Sequence, residues 1–150
     1  MFYWEPRPLI TAKPMTTELN LQRKTILVVD DEETVCEFFE VVLNREGFNV
    51  IATNNGSEAL EILKKNNKSK IDLLILDLMM PDFSGYEVLK ELENHGYQDI
   101  PIMIATSKTL DKGTVVMLQR SSNVQSFWSK PIDQENFIKE VHAILSAGPA

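Results

Sequence analysis

Five short apolar runs alternate with five longer amphipathic segments between residues 24 and 147. The apolar runs cover residues 24–29, 48–53, 73–76, 101–105 and 124–128. A short run with little polar alternation is typical of a strand that is covered on both faces, as in a parallel sheet. The pattern therefore predicts five buried strands.

The amphipathic segments repeat apolar residues at spacings of three and four, as helices do when one face lies on a sheet. The first segment carries Val35, Phe38, Phe39, Val42 and Leu43. Gly47 is predicted to end this helix, and Ser57 is predicted to cap the next one. Because strand and helix alternate five times, the sequence predicts an α/β fold, a doubly wound five-stranded parallel sheet with helices on both faces.

Length and charge restrict the class of protein. A chain of 150 residues predicts one domain, and a net charge of −7 argues against direct binding to nucleic acid or to an anionic membrane. Two His and one Cys are too few for a zinc cluster, and Cys36 is predicted to be a small buried hydrophobe. No apolar run has the length of a membrane span, so we expect a cytoplasmic protein without a membrane partner.

The two ends of the chain differ from residues 24–147, which we expect to form the folded domain. Residues 1–23 contain three prolines, which interrupt helices and strand ladders, behind the aromatic run Phe2-Tyr3-Trp4. We interpret this stretch as an N-terminal extension that is flexible or derived from a tag. Docking of its aromatic residues on this or another chain is the alternative. Residues 148–150 are predicted to be a C-terminal tail.

Residues suited to one kind of chemistry follow four of the five predicted strands. Asp30 and Asp31 follow the first strand, Asp77 the third, Thr106 the fourth and Lys130 the fifth. The carboxyl ends of parallel strands meet at one edge of the sheet, where ligands bind in open α/β folds. Taken alone, Asp77 has a plainer interpretation as a polar residue that ends a strand and starts a turn. The agreement among the strand ends favours a site.

The chemistry of these residues points to a metal and a phosphoryl group. Clustered carboxylates raise one another's pKa unless a cation lies among them, and Mg²⁺ prefers such oxygen ligands. A lysine and a hydroxyl beside them suit an anion with several oxygens, as in phosphoryl transfer. A carboxylate can itself be the nucleophile and form an aspartyl phosphate. The neighbouring Glu32 and Glu33 are adequately explained as acids at a helix N-terminus, where the macrodipole favours them.

On these residues the sequence resembles the receiver domain of two-component response regulators. The matching segments are ILVVDDEETV, LLILDLMMPDFSGYEVL, PIMIATS and FWSKPI, in the order and spacing of the family. The resemblance covers residues 24–147, nearly everything but the N-terminal extension. It implies a flavodoxin-like fold with strand order 2-1-3-4-5.

The resemblance implies a role for each matching acid. Asp77 corresponds to the phosphoacceptor, which is itself a metal ligand. Asp30 and Asp31 correspond to the acidic pair that holds Mg²⁺, and the backbone carbonyl of Met79 completes the protein ligands. Mn²⁺ or Ca²⁺ is the expected substitute for Mg²⁺.

Three further residues correspond to the part of the family's site that responds to phosphorylation. Thr106 matches the hydroxyl that reaches the phosphoryl group. Lys130 matches the lysine that pairs with the acceptor, and its bond to Pro131 is a candidate cis peptide. Phe127 matches the aromatic switch position that changes rotamer with Thr106, although a plain core role explains it equally well.

The resemblance also implies partners. A sensor histidine kinase or a histidine phosphotransfer domain would donate the phosphoryl group, and a downstream protein effector or an output domain beyond this chain would read the result. Receivers often pair through the face made by the fourth helix, fifth strand and fifth helix, which makes that face the candidate homodimer contact. The protein is not expected to be an enzyme, although such domains assist their own phosphorylation and dephosphorylation.

The sequence departs from the family pattern at several positions and leaves two other functions open. The family usually has a Gly-Ala-acidic stretch where this chain has residues 123–126, NVQS. Met79 and Lys108 occupy the variable positions beside the site, and we expect them to slow hydrolysis of the phosphoryl group. A pseudo-receiver that only binds partners is one alternative. An aspartyl-nucleophile phosphatase is less favoured, because it needs a second Asp where Met79 stands.

Overall fold

The computed structural model of the chain describes residues 24–65, 71–96, 99–107, 109–121 and 123–147. The predicted extension at residues 1–23 and the predicted tail at 148–150 lie outside the described residues. Lys108, one of the two variable positions beside the expected site, lies outside them as well.

Strands and helices alternate as the apolar pattern predicts. The strands are β1 (Thr25–Val29), β2 (Asn49–Thr53), β3 (Leu73–Leu76), β4 (Ile102–Thr106) and β5 (Val124–Ser129). The helices are α1 (Glu33–Arg45), α2 (Gly56–Lys65), α3 (Gly85–Asn94), α4 (Lys112–Ser121) and α5 (Gln134–Ala147). Within the described residues, no helix combines the length and the apolar character that crossing a bilayer requires.

All five strands run parallel in one sheet with the order β2-β1-β3-β4-β5. The predicted fold class and strand order are therefore confirmed. The register aligns the strand ends, because Val29 of β1 pairs with both Thr53 of β2 and Leu76 of β3. The last residues of these strands consequently lie side by side, and the residues after them start from one edge.

The central strands are buried on both faces, which explains their unbroken apolar runs. Leu74 and Leu76 of β3 belong to the core beneath α2, α3 and α4, whereas Leu73 and Ile75 belong to the core beneath α1 and α5. Side chains alternate along a strand, so each residue of β3 fills one of the two cores. Because both faces of β3 are buried, the strand is fixed against a shift of one residue along its neighbours. Such a shift would exchange the β3 residues that face the two cores.

Helix ends agree with the predicted boundaries except at the start of α2. Gly47 follows α1 with a φ of 95°, the left-handed conformation that favours glycine there. The predicted Ser57 cap is wrong, because α2 already begins at Gly56. The preceding Asn55 caps it instead, with its side-chain oxygen accepting a hydrogen bond from the Glu58 N–H at 3.0 Å.

Cys36 is buried, as the sequence analysis predicts, and it also makes polar contacts. Its thiol donates to the backbone carbonyl of Asp30 at 3.3 Å, with the carbonyl of Thr53 at 3.8 Å. Burial raises the pKa of the thiol to about 11, so the group remains protonated and able to donate at neutral pH. Cys36 therefore joins α1 to the ends of β1 and β2.

Replacing Phe137 with Ala should lower the free energy of unfolding by about 3 to 5 kcal/mol. The Phe137 ring is fully buried and its centroid lies 5.2 Å from that of Phe39 and 5.1 Å from that of Trp128, so truncation leaves a cavity between α1, α5 and β5. Val41→Ala is the matched control, because Val41 is half exposed on α1 and its truncation should cost much less. Urea unfolding measures both, and equal losses would contradict this account of the core.

Candidate functional site

The backbone hydrogen bonds of the sheet continue for one residue beyond β3 and β5, at the edge where the site residues lie. The Asp77 N–H donates to the carbonyl of Val29 at 3.0 Å, and the Lys130 N–H donates to the carbonyl of Thr106 at 3.0 Å. The bond between Lys130 and Pro131 is cis, as predicted. These backbone contacts bring together residues that are far apart in the sequence, and they do so at the carboxyl edge of the sheet.

The ammonium group of Lys130 lies among three carboxylates. Its Nζ is 2.5 Å from Oδ2 of Asp30, 3.3 Å from Oε1 of Glu32 and 3.6 Å from Oδ2 of Asp77. The lysine side chain is only 11% exposed and Asp30 and Asp77 are buried, so water screens these two contacts weakly. Among the described residues, Lys130 is thus the cation that links the carboxylates at this edge of the sheet.

Asp77 is buried and its two carboxylate oxygens face different partners. Oδ1 accepts a hydrogen bond from the Met79 N–H at 3.2 Å, Oδ2 faces Lys130, and the Thr106 side chain also hydrogen-bonds to the carboxylate. Burial nevertheless raises the pKa of Asp77, because loss of water disfavours the charged form more than these contacts favour it. The nearby charge of Asp31 raises it further.

Asp30 is buried beside Asp77, and its charged form is likewise disfavoured by burial. Burial raises its pKa, the charge of Asp77 adds to the rise, and hydrogen bonds from Lys130 and from the Glu32 N–H oppose it. The pKa of Lys130 is also raised, because its contacts with Asp30, Asp77 and Glu32 outweigh the opposing effect of its burial. Among the residues that the structure describes, three carboxylates thus contact one ammonium group at this site.

Asp30, Asp31 and Asp77 form a group that could hold a metal ion. One carboxylate oxygen from each lies within 4.8 Å of the others. Opposite ligands of an octahedral Mg²⁺ are about 4 Å apart, so a small movement of the side chains would let all three bind one ion. A cation of this kind would favour the charged forms of the two buried acids, whose pKa values are raised mainly by burial and further by neighbouring carboxylates.

The loop after Asp77 is fixed by the close approach of α3. A Cβ added at Gly85 would lie 2.3 Å from the carbonyl oxygen of Asp77 and 2.7 Å from Cα of Leu78, so a side chain cannot be accommodated there without backbone movement. Ser84 caps α3 in a reciprocal capping box with Glu87. The helix thereby buttresses the backbone that presents Asp77.

The other expected site residues lie on the loop after β3 and on β4 and β5. The Met79 side chain is 46% exposed, although its backbone N–H contacts Asp77. Thr106 is buried at the end of β4. Phe127 is half-buried on β5, where it pairs with Ile104 and packs against the core beneath α2, α3 and α4. That Phe127 acts as a switch remains a prediction, and so does the role of the Met79 carbonyl as a metal ligand.

Glu32 is the residue that the sequence analysis misses. The macrodipole interpretation fits Glu33, which lies in the first turn of α1. Glu32 precedes the helix, its side chain makes no capping hydrogen bond, and its carboxylate instead contacts Lys130. The run Asp30-Asp31-Glu32-Glu33 was the available signal, but the sequence spacing does not show which of the four acids meets the lysine.

Comparisons with known proteins agree on one family. The model of the response regulator receiver domain matches residues 26–142 of this chain. Response regulator SaeR of Staphylococcus aureus is 29% identical over 121 residues, which cover 81% of this chain and 50% of SaeR. The chain therefore spans about half the length of this curated relative.

Solved structures give the same result. A putative response regulator from Chloroflexus aurantiacus J-10-fl is 30% identical with a TM-score of 0.71, over 82% of this chain and 98% of that one. Response regulator TrrA of Thermotoga maritima, in complex with Mg²⁺-BeF, is 30% identical with a TM-score of 0.68, over 81% of this chain and 99% of that one.

Without divalent ions, Asp77→Asn should unfold at higher urea concentration than the unmodified protein at pH 7. The folded state raises the pKa of Asp77 above its value of 3.8 in the unfolded chain, so folding favours the protonated carboxyl. The contribution of Asp77 to stability is therefore greatest below pH 3.8 and declines as the pH rises through the folded pKa.

The increase in stability against urea that Asp77→Asn produces should accordingly become smaller as the pH is lowered towards 4. Urea unfolding in a chelator across this pH range measures it, with Glu61→Gln on the exposed side of α2 as the control for removing one negative charge. A gain that grew on acidification would contradict the effect of burial.

Proposed function

The chain belongs to the response regulator receiver domain family, and we propose that it is a switch in which Asp77 accepts a phosphoryl group. One observation carries the proposal. Asp77 is a buried carboxylate that shares the carboxyl edge of the sheet with two further acids, a lysine and a hydroxyl. Each group has a direct use when a phosphoryl group is transferred to an acid.

The donor set fits Mg²⁺, which is part of the proposal. Asp30, Asp31 and Asp77 would hold it, together with the backbone carbonyl of Met79, and Mn²⁺ or Ca²⁺ would substitute. When bound, the ion neutralises negative charge on the acceptor and on the phosphoryl oxygens. The pKa values of Asp30 and Asp77 are raised mainly by burial and further by neighbouring carboxylates, which supports a site that is completed by a cation.

Asp77 is proposed to act as the nucleophile. An oxygen of its carboxylate supplies the electron pair for a new bond to phosphorus, while the bond from phosphorus to the donor breaks. With a phosphohistidine of a sensor kinase or a phosphotransfer domain, the released electron pair stays on the imidazole nitrogen, which then takes a proton. Lys130, 3.6 Å from Asp77 Oδ2, is placed to stabilise negative charge on the transferred group.

Thr106 and Phe127 are proposed to convert phosphorylation into a change of shape. A phosphoryl group carries about −1.5 to −2 charge at neutral pH, which attracts the Thr106 hydroxyl and the Lys130 ammonium. Thr106 ends β4, and Lys130 follows β5 directly. Movement of both side chains towards the phosphoryl group would therefore pull on these two neighbouring strands. Phe127 lies on β5 beside Ile104 of β4, two residues back from the pair formed by Ser129 and Thr106, and would change rotamer as Thr106 moves.

The partners belong to the proposal as well. A histidine kinase or a phosphotransfer domain would supply the phosphoryl group, and either a separate effector or an output domain would respond. Val116 and Met117 are 45% and 55% exposed on α4, which supports the face formed by α4, β5 and α5 as a contact surface, including for a homodimer. The proposed domain boundaries are residues 24 and 147.

Incubation with Mg²⁺ and acetyl phosphate should increase the mass of the intact protein by one phosphoryl group. The gain should disappear in Asp77→Asn, because the nucleophile is lost, and in a chelator, because the ion that would neutralise the acceptor and the phosphoryl oxygens is removed. Mass spectrometry of the intact chain makes the measurement. Absence of any gain with small donors and with histidine kinases would favour a pseudo-receiver, and steady release of phosphate from unrelated phosphoesters would favour a phosphatase.

Met79→Asn should shorten the half-life of the phosphoryl group on Asp77. The Met79 side chain is apolar and half exposed beside the acceptor, where it limits the approach of attacking water, and an amide would instead orient water. Met117→Asn is the matched control, because it makes the same change at an exposed position of α4. Loss of the phosphoryl mass over time measures the half-life, and a longer half-life in Met79→Asn would refute the shielding role.

A further inference from the structure

Glu32 contacts the lysine of the site although it belongs to neither the acceptor nor the proposed metal ligands. We propose that Glu32 competes with the phosphoryl group on Asp77 for the Lys130 ammonium, and thereby limits how tightly that group is held. The inference rests on the proposed phosphoacceptor function. It assigns Glu32 a positioning role that acts through Lys130.

The distances define the competition. Lys130 Nζ lies 3.3 Å from Glu32 Oε1 and 3.6 Å from Asp77 Oδ2, so both carboxylates contact the same ammonium. The closest carboxylate is that of Asp30, at 2.5 Å. The ammonium donates hydrogen bonds to Asp30 and Glu32, whereas its 3.6 Å contact with Asp77 is an ion pair beyond hydrogen-bond distance, so Lys130 is held closer to Glu32 than to the acceptor.

Phosphorylation would change the contacts of Lys130 with Asp30 and Asp77 and leave its contact with Glu32. A divalent cation between the acids would become the partner of Asp30, and Asp77 would carry the phosphoryl group. Glu32 is a member of neither arrangement, so its carboxylate would remain available to Lys130. Each position of the ammonium near Glu32 is then a position away from the phosphoryl oxygens.

The backbone of Glu32 is fixed, which keeps its side chain in reach. Its N–H donates to Asp30 Oδ1 at 2.9 Å, and its carbonyl accepts from the N–H groups of Val35 and Cys36 at 3.1 Å in the first turn of α1. The side chain itself is 58% exposed, so the ion pair with Lys130 is of the modest, partly screened kind. Its removal should change an affinity by about two- to fivefold.

Glu33 offers a matched control one residue away. It is exposed in the first turn of α1 and carries the same charge, but it is not among the described ion-pair partners of Lys130. Glu33→Gln therefore removes the same negative charge from the same end of α1 without touching the contact. A difference between the two variants isolates the contact from the general field of the acidic loop.

The test is a titration with beryllofluoride, an analogue of the phosphoryl group, at saturating Mg²⁺. Trp128 fluorescence or amide NMR shifts follow binding, and a repeat at twice the Mg²⁺ concentration checks saturation. Glu32→Gln should lower the Kd about two- to fivefold, whereas Glu33→Gln should leave it near the wild-type value. Glu32→Gln should have no effect when Lys130 is also replaced by Met, because the competition acts through the ammonium.

Three results would overturn the proposal. They are an unchanged or higher Kd in Glu32→Gln, an equal decrease in Glu33→Gln, and a decrease that persists without Lys130. Urea unfolding of each variant ensures that the compared proteins are folded.

Failure of this inference can be distinguished from failure of the proposed function. If the wild-type chain gains a phosphoryl mass and binds beryllofluoride but Glu32→Gln binds no more tightly, only the role of Glu32 is wrong. If the wild-type chain does neither, the phosphoacceptor function and this inference both fall.

Discussion

One buried ammonium among several carboxylates is the interaction on which the carboxyl edge of this sheet depends. Asp30 and Asp77 have lost most of their water, and Lys130 is the positive charge that contacts both. Removing Lys130 would leave Asp30 and Asp77 as buried charges without compensation, which costs far more than losing an exposed ion pair. Burial raises the pKa of both acids even with the lysine in place. This edge is therefore sensitive to any ion or group that adds or removes charge.

The rest of the fold supplies the rigidity that this arrangement needs. Apolar residues anchor β3 in two cores at once, so the position of Asp77 at its end follows from the register of the whole sheet. Gly85 allows α3 to press on the backbone of Asp77, and no larger residue could. Repulsion among the acids cannot relax by moving their backbones apart. It must be relieved by protons, cations or partners.

The sequence predicted those parts of the structure whose signals are local. An apolar run followed by an acid identified β3 and Asp77, because both the burial and its end are visible within a few residues. The choice of Asn55 over Ser57 as a cap was missed, since both residues cap helices and the first turn of α2 decides between them. Glu32 was missed for a different reason, because its partner Lys130 lies 98 residues away. The strand order came from resemblance to a family, since alternation of strands and helices does not specify it.

Lys130 reaches Asp30 across 100 residues of chain, and His142 of α5 reaches Glu46 across 96. Contacts between residues so distant in sequence form only when the two ends of the domain meet. Such contacts slow folding, and these two can form only after the last strand has been synthesised. A nascent chain that ended before β5 would have the acids of the first three strands without the lysine that balances them. Burial of those acids would then lack the compensation that the Lys130 ammonium supplies, and would be less favourable until β5 is in place. The sheet edge thus acquires its balancing charge only when the last strand is added.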